Sequence, residues 1–196
     1  MLTFGAEMKQ AKTLTEKQLK QVLAHCATRR HAQRDRTIVL VSFLAGLRAK
    51  EIAALTITNV RDEAGNIRED FTLSPEQTKG RKARRVFINS SLRKELNAYL
   101  KQVKLRNNCY ALFQSQKGTA FSANTMCQLL IRIYDDAGFD TATSHSGRRS
   151  FITNLAAKGV GVRVLAELAA HSSISTTQRY IDVNDEHLRN AVELAL

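Results

Sequence analysis

One short segment near the C-terminus combines several residue types that can do chemistry. The segment "AAHSSISTTQRY" covers residues 169–180 and contains His171 and Tyr180. In one unbroken helix, nine residues turn the chain by about 900°, which would set these two side chains on opposite sides. Ser172 and Ser173 are natural helix-capping residues, so we expect a break that lets His171 and Tyr180 converge on one site. The alternative for Tyr180 is a half-buried aromatic ring that packs against the core.

Two further segments place arginines where they could bind an anion. In "SHSGRRSF", His145 and Arg148 are three residues apart, which puts both on one face of a helix start. The free amides of a helix start already favour an anion. In "GLRAKEIAAL", Arg48 follows an apolar run, and Glu51 could hold its guanidinium in place. The alternatives are a solvated basic helix end and a surface ion pair.

A dense group of basic residues lies in the segment "EQTKGRKARRVF". Lys79 is expected at the tip of a hairpin, where exposed lysines are also frequent without any function. Four basic residues follow it: Arg81, Lys82, Arg84 and Arg85. They predict a basic ribbon that could lie against a DNA backbone.

The composition favours a polyanionic partner. The chain has 196 residues, which suits one domain or a domain with a short arm, and its formal net charge is +12. A field of that sign attracts nucleic acid or an anionic membrane surface. The sequence contains no bilayer-spanning run and no signal peptide, so we expect a soluble, cytoplasmic protein. The widely spaced Cys26, Cys109 and Cys127 fit reduced thiols better than disulfides or a zinc site.

A mainly helical fold has to position these residues. Thr15 and Gln18 have capping-box spacing at the start of an amphipathic helix. The apolar run 37–46 predicts a buried helix that ends at Gly46, and "LRAKEIAAL" begins a short new one. Further helices are predicted over about 91–104, 122–137, 146–158, 161–170, 174–182 and 185–195.

A small sheet interrupts the helices. The segments "LTITNV", "NIREDFTL" and "ARRVFIN" are rich in residues that favour strands, and turn signals separate them. We therefore predict an antiparallel sheet of about three strands in an α+β, mainly α-helical fold. The strand–helix alternation of a doubly wound fold is absent from the pattern.

In this order and spacing, the segments resemble the catalytic domain of the tyrosine recombinases, the lambda-integrase family. The resemblance is carried by "GLRAKEI", "TKGRKARRVFI", "HSGRRSF" and "AHSSISTTQRYIDV". It implies the tyrosine-recombinase catalytic-domain fold over residues 13–196, after an N-terminal arm of residues 1–12. Many members have a separate helical DNA-gripping domain ahead of this one. The chain is therefore expected to be either a single-domain relative or a fragment.

The resemblance assigns roles to the residues singled out above. The implied catalytic residues are Arg48, Lys79, His145, Arg148, His171 and Tyr180, with Glu51 as a supporting acid. The expected DNA contacts are Arg81, Lys82, Arg84, Arg85 and Arg149. Two positions depart from the family pattern: Gly147 stands where many relatives carry leucine, and Ala170 stands where they often carry glycine.

These residue types suit phosphodiester cleavage without a metal or a cofactor. Two guanidinium groups can neutralise the charge that develops on the non-bridging oxygens, and a histidine can add a hydrogen bond or move a proton. Lys79 is the best candidate acid for the leaving 5′ oxygen. Tyr180 is implied to form a covalent 3′-phosphotyrosyl intermediate. No carboxylate cluster for two-metal catalysis stands out in the sequence.

The implied function is site-specific recombination or integration of double-stranded DNA for a phage or mobile element. A catalytically silent DNA-binding relative and a type IB-like topoisomerase are the alternatives. The tail carries an apolar stripe, formed by Leu188, Ala191, Val192 and Ala195. In relatives, the segment after the tyrosine packs into a neighbouring subunit. We therefore expect a homo-oligomer, a tetramer on DNA with C-terminal helix exchange, and keep a stripe folded onto its own domain as the alternative.

Overall fold

The computed structural model describes residues 11–78, 80–104, 109–181 and 192–193. The helices are α1 (Glu16–Thr28), α2 (Ala32–Ala45), α3 (Ala49–Ala53), α4 (Ile57–Val60), α5 (Ser90–Gln102), α6 (Ala123–Asp136), α7 (Ser146–Ala157), α8 (Val162–Ala169) and α9 (Ile174–Gln178). Two strands, β1 (Asp70–Leu73) and β2 (Arg84–Phe87), and a 3₁₀ helix (Pro75–Gln77) lie between α4 and α5. The predicted mainly α-helical α+β class is confirmed. The predicted helix 185–195 lies outside the described residues, apart from Val192 and Glu193.

Helix α2 is the centre of the core. The apolar run that predicts it is buried throughout residues 37–43. Helices α1, α5 and α7 all pack against it, and α3 packs against α6. The start of α1 is fixed by the predicted capping box, in which the Thr15 hydroxyl accepts from the Gln18 backbone N and the Gln18 side chain accepts from the Thr15 backbone N.

The end of α2 determines where the chain turns toward α3. Gly46 has a φ of +62°, a left-handed conformation that favours glycine. The ring of Phe151 from α7 lies against it so closely that a Cβ at Gly46 would meet Phe151 Cδ1 at 2.5 Å. The chain therefore leaves α2 in a tight turn, and Arg48 follows directly at the start of α3.

Helices α2 and α7 approach each other closely at Gly147. A Cβ at this position would lie 2.8 Å from Ser42 Cβ and 2.9 Å from Phe43 Cδ2. Glycine is the one residue that fits here without displacing α2 or α7. Many relatives carry leucine at this position. The close packing of α2 against α7 leaves no space for a side chain there in this protein.

The sheet has two strands in the described part of the chain, so the prediction of three was wrong in one element. Residues 57–60 of the segment "LTITNV" form α4 instead of a strand, with Thr56 as the N-cap. The Thr56 hydroxyl accepts from the Asn59 backbone N at 3.3 Å, and Asn59 Oδ1 accepts from the Thr56 backbone N at 2.9 Å. This capping box satisfies the backbone locally and outweighs the strand preference of the two threonines, the isoleucine and the valine in this segment. Strands β1 and β2 pair antiparallel, with Phe71 opposite Val86.

The described residues contain no helix that is both long and apolar enough to cross a membrane. Cys26, Cys109 and Cys127 are free thiols. Burial raises the pKa of the Cys26 thiol to about 11, with the charge of Asp35 adding to the effect. This thiol is therefore protonated at neutral pH and serves as a small apolar group in the core.

Candidate active site

Arg48 is held at the start of α3 by Glu51. The Arg48 backbone N donates to Glu51 Oε2 at 2.8 Å, and Arg48 Nη1 donates to Glu51 Oε1 at 2.9 Å. Glu51 is fully buried, whereas the Arg48 side chain is 24% exposed. The carboxylate thus caps the helix and orients the guanidinium, which excludes the freely exposed ion pair considered for this segment.

A second arginine binds the same carboxylate. Arg84 Nη1 donates to Glu51 Oε2 at 2.6 Å, and Arg84 Nη2 donates to the Leu168 carbonyl at 2.8 Å. The placement of Arg84 on a surface ribbon was wrong, because alternate residues of β2 point inward and only 4% of Arg84 is exposed. Arg85 does point outward, and its guanidinium binds Asp70 through hydrogen bonds of 2.9 and 2.7 Å.

Helix α7 places Arg148 beneath the turn between α2 and α3. Arg148 Nη1 donates to the Gly46 carbonyl at 2.7 Å, and Nη2 donates to the Ala169 carbonyl. Burial and, to a lesser extent, the positive charges of Arg48 and Arg84 lower the pKa of Arg148 to about 9. The group still carries its charge at neutral pH. The fixed guanidinium is therefore a preorganised positive charge at the floor of the site.

His145 and Arg149 flank Arg148 on α7. His145 is the N-cap residue of the helix and is exposed. Its Nδ1 lies 3.4 Å from the Ser144 hydroxyl. The Arg149 guanidinium lies over the Tyr180 ring, with Cζ 5.2 Å from the ring centre, which is a cation–π contact. Arg149 therefore contacts the candidate nucleophile, in addition to its expected role at DNA.

The expected break between His171 and Tyr180 is present. Helix α8 ends at Ala169, Ala170 adopts a left-handed φ of +46°, and the Ser173 side chain caps α9. The rings of His171 and Tyr180 are stacked, with their centres 5.7 Å apart and an angle of 24° between their planes. The opposite placement that one continuous helix would impose is therefore excluded.

Thr177 contacts both members of this stacked pair, and the sequence reasoning did not single it out. Its hydroxyl lies 2.8 Å from His171 Nδ1, and its carbonyl accepts from the Tyr180 backbone N at 2.9 Å. Thr177 is fully buried. The available signal was a hydroxyl residue three positions before the tyrosine, but the neighbouring serines and threonines hid it.

The site environment keeps His171 neutral. Burial lowers the pKa of His171 to about 4, and the positive charges of Arg148, Arg48 and Arg84 act in the same direction. One ring nitrogen of a neutral imidazole donates a hydrogen bond and the other accepts one. Because Nδ1 is engaged by Thr177, Nε2 is the nitrogen left to act on a substrate.

These side chains share one open cleft of about 650 Å³, here called the active-site cleft. It is lined by Arg48, His145, Arg148, Arg149, His171 and Tyr180, together with Ala11, Thr143, Thr176 and Arg179. Residues from α3, α7 and α9, far apart in the sequence, thus meet around one volume that could hold an anion. In the described residues, no group of three or more His, Cys, Asp or Glu could hold a metal ion.

A second cleft of about 670 Å³, here called the hairpin cleft, adjoins the first and shares Arg48 and His171 with it. Thr78, Gly80 and Lys82 line its other side. Lys79 lies outside the described residues, although its two neighbours face this cleft. Arg81 and Lys82 are exposed, as a DNA-facing ribbon requires.

The hairpin is anchored to α3 by contacts that the sequence did not reveal. Lys50 Nζ donates to the Thr78 carbonyl at 2.9 Å, and the Thr78 hydroxyl donates to the Lys82 carbonyl at 2.9 Å. The segment on either side of Lys79 is therefore tied to the helix that begins at Arg48.

The profile of the phage integrase family matches residues 12–187 of the chain. The chain belongs to this family. Tyrosine recombinase XerA of Thermococcus kodakarensis is 36% identical over 186 residues, which cover 94% of this chain and 62% of the relative. Tyrosine recombinase XerA of Pyrococcus horikoshii is 33% identical, with 94% and 61% covered. The chain thus spans about three fifths of the length of these relatives.

Solved structures of family members have the same fold. A crystal structure of XerA recombinase matches with a TM-score of 0.72 at 24% identity, over 94% of this chain and 66% of that one. The catalytic domain of bacteriophage HP1 integrase matches with a TM-score of 0.63 at 23% identity, over 95% and 96%. The described residues therefore form the tyrosine recombinase catalytic fold, as the sequence motifs predicted.

Proposed function

We propose that this chain is the catalytic domain of a site-specific DNA recombinase that cleaves and rejoins strands through a covalent 3′-phosphotyrosyl intermediate. The observation that carries the proposal is the active-site cleft, in which a stacked His171–Tyr180 pair faces two fixed arginines. Family membership and the XerA relatives support the same reaction.

Arg48 and Arg148 are proposed to bind the non-bridging oxygens of the scissile phosphate. Their rear contacts to Glu51, Gly46 and Ala169 hold them in place before substrate arrives. Donors that need no reorganisation stabilise charge best where it develops in the transition state. Guanidinium forks also match the geometry of two phosphate oxygens.

In the proposed first step, the Tyr180 oxygen attacks phosphorus and passes its proton to His145 or to solvent, while the bond from phosphorus to the 5′ oxygen breaks. Lys79 protonates the departing 5′ oxygen. In the second step, the 5′ hydroxyl of another strand attacks the phosphotyrosine, and the phenol leaves with a proton. One phosphodiester is exchanged for another, so neither ATP nor a redox cofactor is consumed.

The two histidines are proposed to differ in role. His171 is neutral and turns Nε2 toward the substrate, which suits a hydrogen bond to a phosphate oxygen. His145 is exposed at the rim of the active-site cleft, where it can exchange protons with the reacting groups.

Double-stranded DNA is the proposed partner of the basic surface. The net charge of +12 and the exposed Arg81, Lys82 and Arg85 support this assignment. Among structural relatives, XerH was solved bound to palindromic difH substrate, with a TM-score of 0.70 over 92% of this chain and 51% of that one. We place the enzyme on DNA in the cytoplasm.

A tetramer on DNA with exchange of C-terminal helices is part of the proposal. The support is the apolar stripe of the tail, of which the described Val192 is 71% exposed. Such exchange would couple placement of Tyr180 to assembly, because the exchanged segment follows the tyrosine directly.

The decisive experiment uses duplexes selected for binding from a randomised pool and then nicked beside the cleavage position. Loss of the short released fragment traps the protein on DNA. We expect a protein–DNA band that survives denaturant, and its complete loss in Tyr180→Phe, which keeps the ring but lacks the nucleophilic oxygen.

The alternatives give different results in the same assay. Specific binding with no covalent band on any selected site would identify a silent DNA-binding relative. Relaxation of supercoiled plasmid without a specific site would identify a type IB-like topoisomerase.

A further inference from the structure

Arg84 is a buried charge with three acceptors on three different parts of the fold. Its guanidinium donates to Glu51 on α3 at 2.6 Å, to the Leu168 carbonyl on α8 at 2.8 Å, and to the Ala45 carbonyl at the end of α2 at 3.4 Å. Only 4% of the residue is exposed. An arginine buried this deeply is not part of an exposed DNA-binding ribbon, although it lines the inner wall of the hairpin cleft. Its charge therefore needs another explanation.

The carboxylate of Glu51 is shared between Arg84 and Arg48. Oε1 accepts from Arg48 Nη1, whereas Oε2 accepts from Arg84 Nη1 and the Arg48 backbone N. Both carboxylate oxygens are therefore fixed by charged or backbone donors. Without Arg84, Oε2 would keep a single partner, and the carboxylate could rotate with the guanidinium it holds.

The anchor for Arg84 lies at the C-terminal end of α8. The carbonyls of Leu168 and Ala169 are consecutive; the first accepts from Arg84 and the second from Arg148. The end of a helix carries partial negative charge, which suits a cation at this point. Arg84 thus links the C-terminal end of α8 to the Glu51 carboxylate, which holds Arg48 at the active-site cleft.

We propose that Arg84 is a positioning residue for DNA cleavage: anchored on the end of α8, it locks the Glu51 carboxylate and thereby sets the orientation of the Arg48 guanidinium. This inference rests on the proposed function, because the reaction that Arg48 serves is that of the recombinase. Burial of a charged group is costly, and here the Nε of Arg84 is buried without a hydrogen-bond partner. If Arg84 only filled space in the core, an apolar side chain could do so at a lower cost in folding free energy.

The test compares Arg84→Met with Arg34→Met. Arg34 is a matched control, because it also binds a buried carboxylate, Asp35, and a backbone carbonyl, that of Gln114, and lies outside both clefts. Three quantities are measured: the melting temperature, the dissociation constant for the selected duplex, and the single-turnover rate of covalent complex formation at saturating protein.

For Arg84→Met we expect the covalent rate to fall about 100-fold, since small displacements of a catalytic group cost about that factor. The dissociation constant should stay near that of the wild-type protein. Arg34→Met should lower the melting temperature and leave the covalent rate of the folded protein unchanged. Arg84→Lys keeps the charge and the fold, but a single ammonium group cannot hold both Glu51 and the Leu168 carbonyl rigidly. Its covalent rate should therefore lie between those of the wild-type protein and Arg84→Met.

A double-mutant cycle tests whether Arg84 affects cleavage through Glu51. If Arg84 acts through Glu51, the rate losses of Arg84→Met and Glu51→Gln overlap, and the double variant cleaves about as slowly as Glu51→Gln alone. Losses that multiply would overturn the proposal, as would folded Arg84→Met and Arg84→Lys proteins that cleave at the wild-type rate. Absence of a covalent band in the wild-type protein would contradict the proposed function and this inference together.

Discussion

His171 and Tyr180 form a stacked pair whose geometry depends on one buried hydroxyl group. Thr177 binds His171 Nδ1 with its side chain and the Tyr180 backbone N with its carbonyl. The threonine therefore sets the direction in which Nε2 points and the start of the turn that carries the phenol. A segment that reads as a string of hydroxyl residues contains one member with a specific task.

Replacing Thr177 by valine or serine separates the hydroxyl from the shape of the side chain. Thr177→Val removes one hydrogen bond, worth about 1 kcal/mol, so we expect covalent complex formation to slow about five-fold. Thr177→Ser keeps the hydroxyl and should react close to the wild-type rate. Single-turnover cleavage of the nicked duplex measures both. Equal rates for the two variants would contradict the role of the hydroxyl.

Side-chain direction on β2 was the point at which residue-level prediction failed. The segment "GRKARR" reads as one charged surface, and charge alone gives no reason to bury Arg84. Side chains alternate along the strand, so Arg84 points inward and pairs with the buried Glu51. That partner is 33 residues away in the sequence, and no local pattern reports such a contact.

At the scale of the elements, helices were easier to predict than strands. The run 37–46 is apolar enough to specify α2, and the breaks near residues 138, 159 and 170 separate α6, α7, α8 and α9. The segment "LTITNV" misled because four of its residues favour strands, whereas Thr56 and Asn59 cap each other locally. Whether a short segment forms a helix or a strand depends on such individual hydrogen bonds more than on the average propensity of its residues.

The close contact of α2 with α7 predicts a cost for any side chain at Gly147. We expect Gly147→Ala to lower the free energy of unfolding by about 1–3 kcal/mol, because its Cβ would collide with Ser42 and Phe43. Urea denaturation measures this change. Gly80→Ala is the control, since no atom lies within 4 Å of its added Cβ and its φ is not left-handed, so we expect a change within about 0.5 kcal/mol.

At the scale of the whole molecule, positive charge is divided between a buried or paired group of residues and an exposed group. Arg48, Arg84 and Arg148 are paired or buried at the site, whereas Arg81 and Lys82 remain exposed on the hairpin side. The net charge of +12 thus includes exposed residues that are proposed to bind DNA and buried residues that are proposed to act in cleavage. Composition alone could predict a polyanionic partner but could not separate these two groups.

The exposed residues Arg81 and Lys82 are expected to contribute to the salt dependence of DNA affinity, whereas the buried or paired arginines are not. Lys82→Gln should reduce the slope of log affinity against log salt concentration by about one, because one phosphate contact is lost. The covalent rate at saturating protein should stay close to wild type. Binding titrations at several salt concentrations measure the slope, and an unchanged slope would remove Lys82 from the DNA interface.

Ala170 bears on how firmly Tyr180, the proposed nucleophile, is held. It directly follows the helix end that accepts hydrogen bonds from Arg84 and Arg148, and it precedes His171. A non-glycine residue in the left-handed conformation is strained by about 1–2 kcal/mol. The helix-ending hydrogen bonds from the Ala170 backbone N to the Glu167 carbonyl and from the His171 backbone N to the Ala166 carbonyl oppose that strain. The aromatic stack and the Thr177 contacts act in the same direction as these bonds, and the balance between all of them and the strain sets the fraction of time that the Tyr180 ring spends stacked on His171.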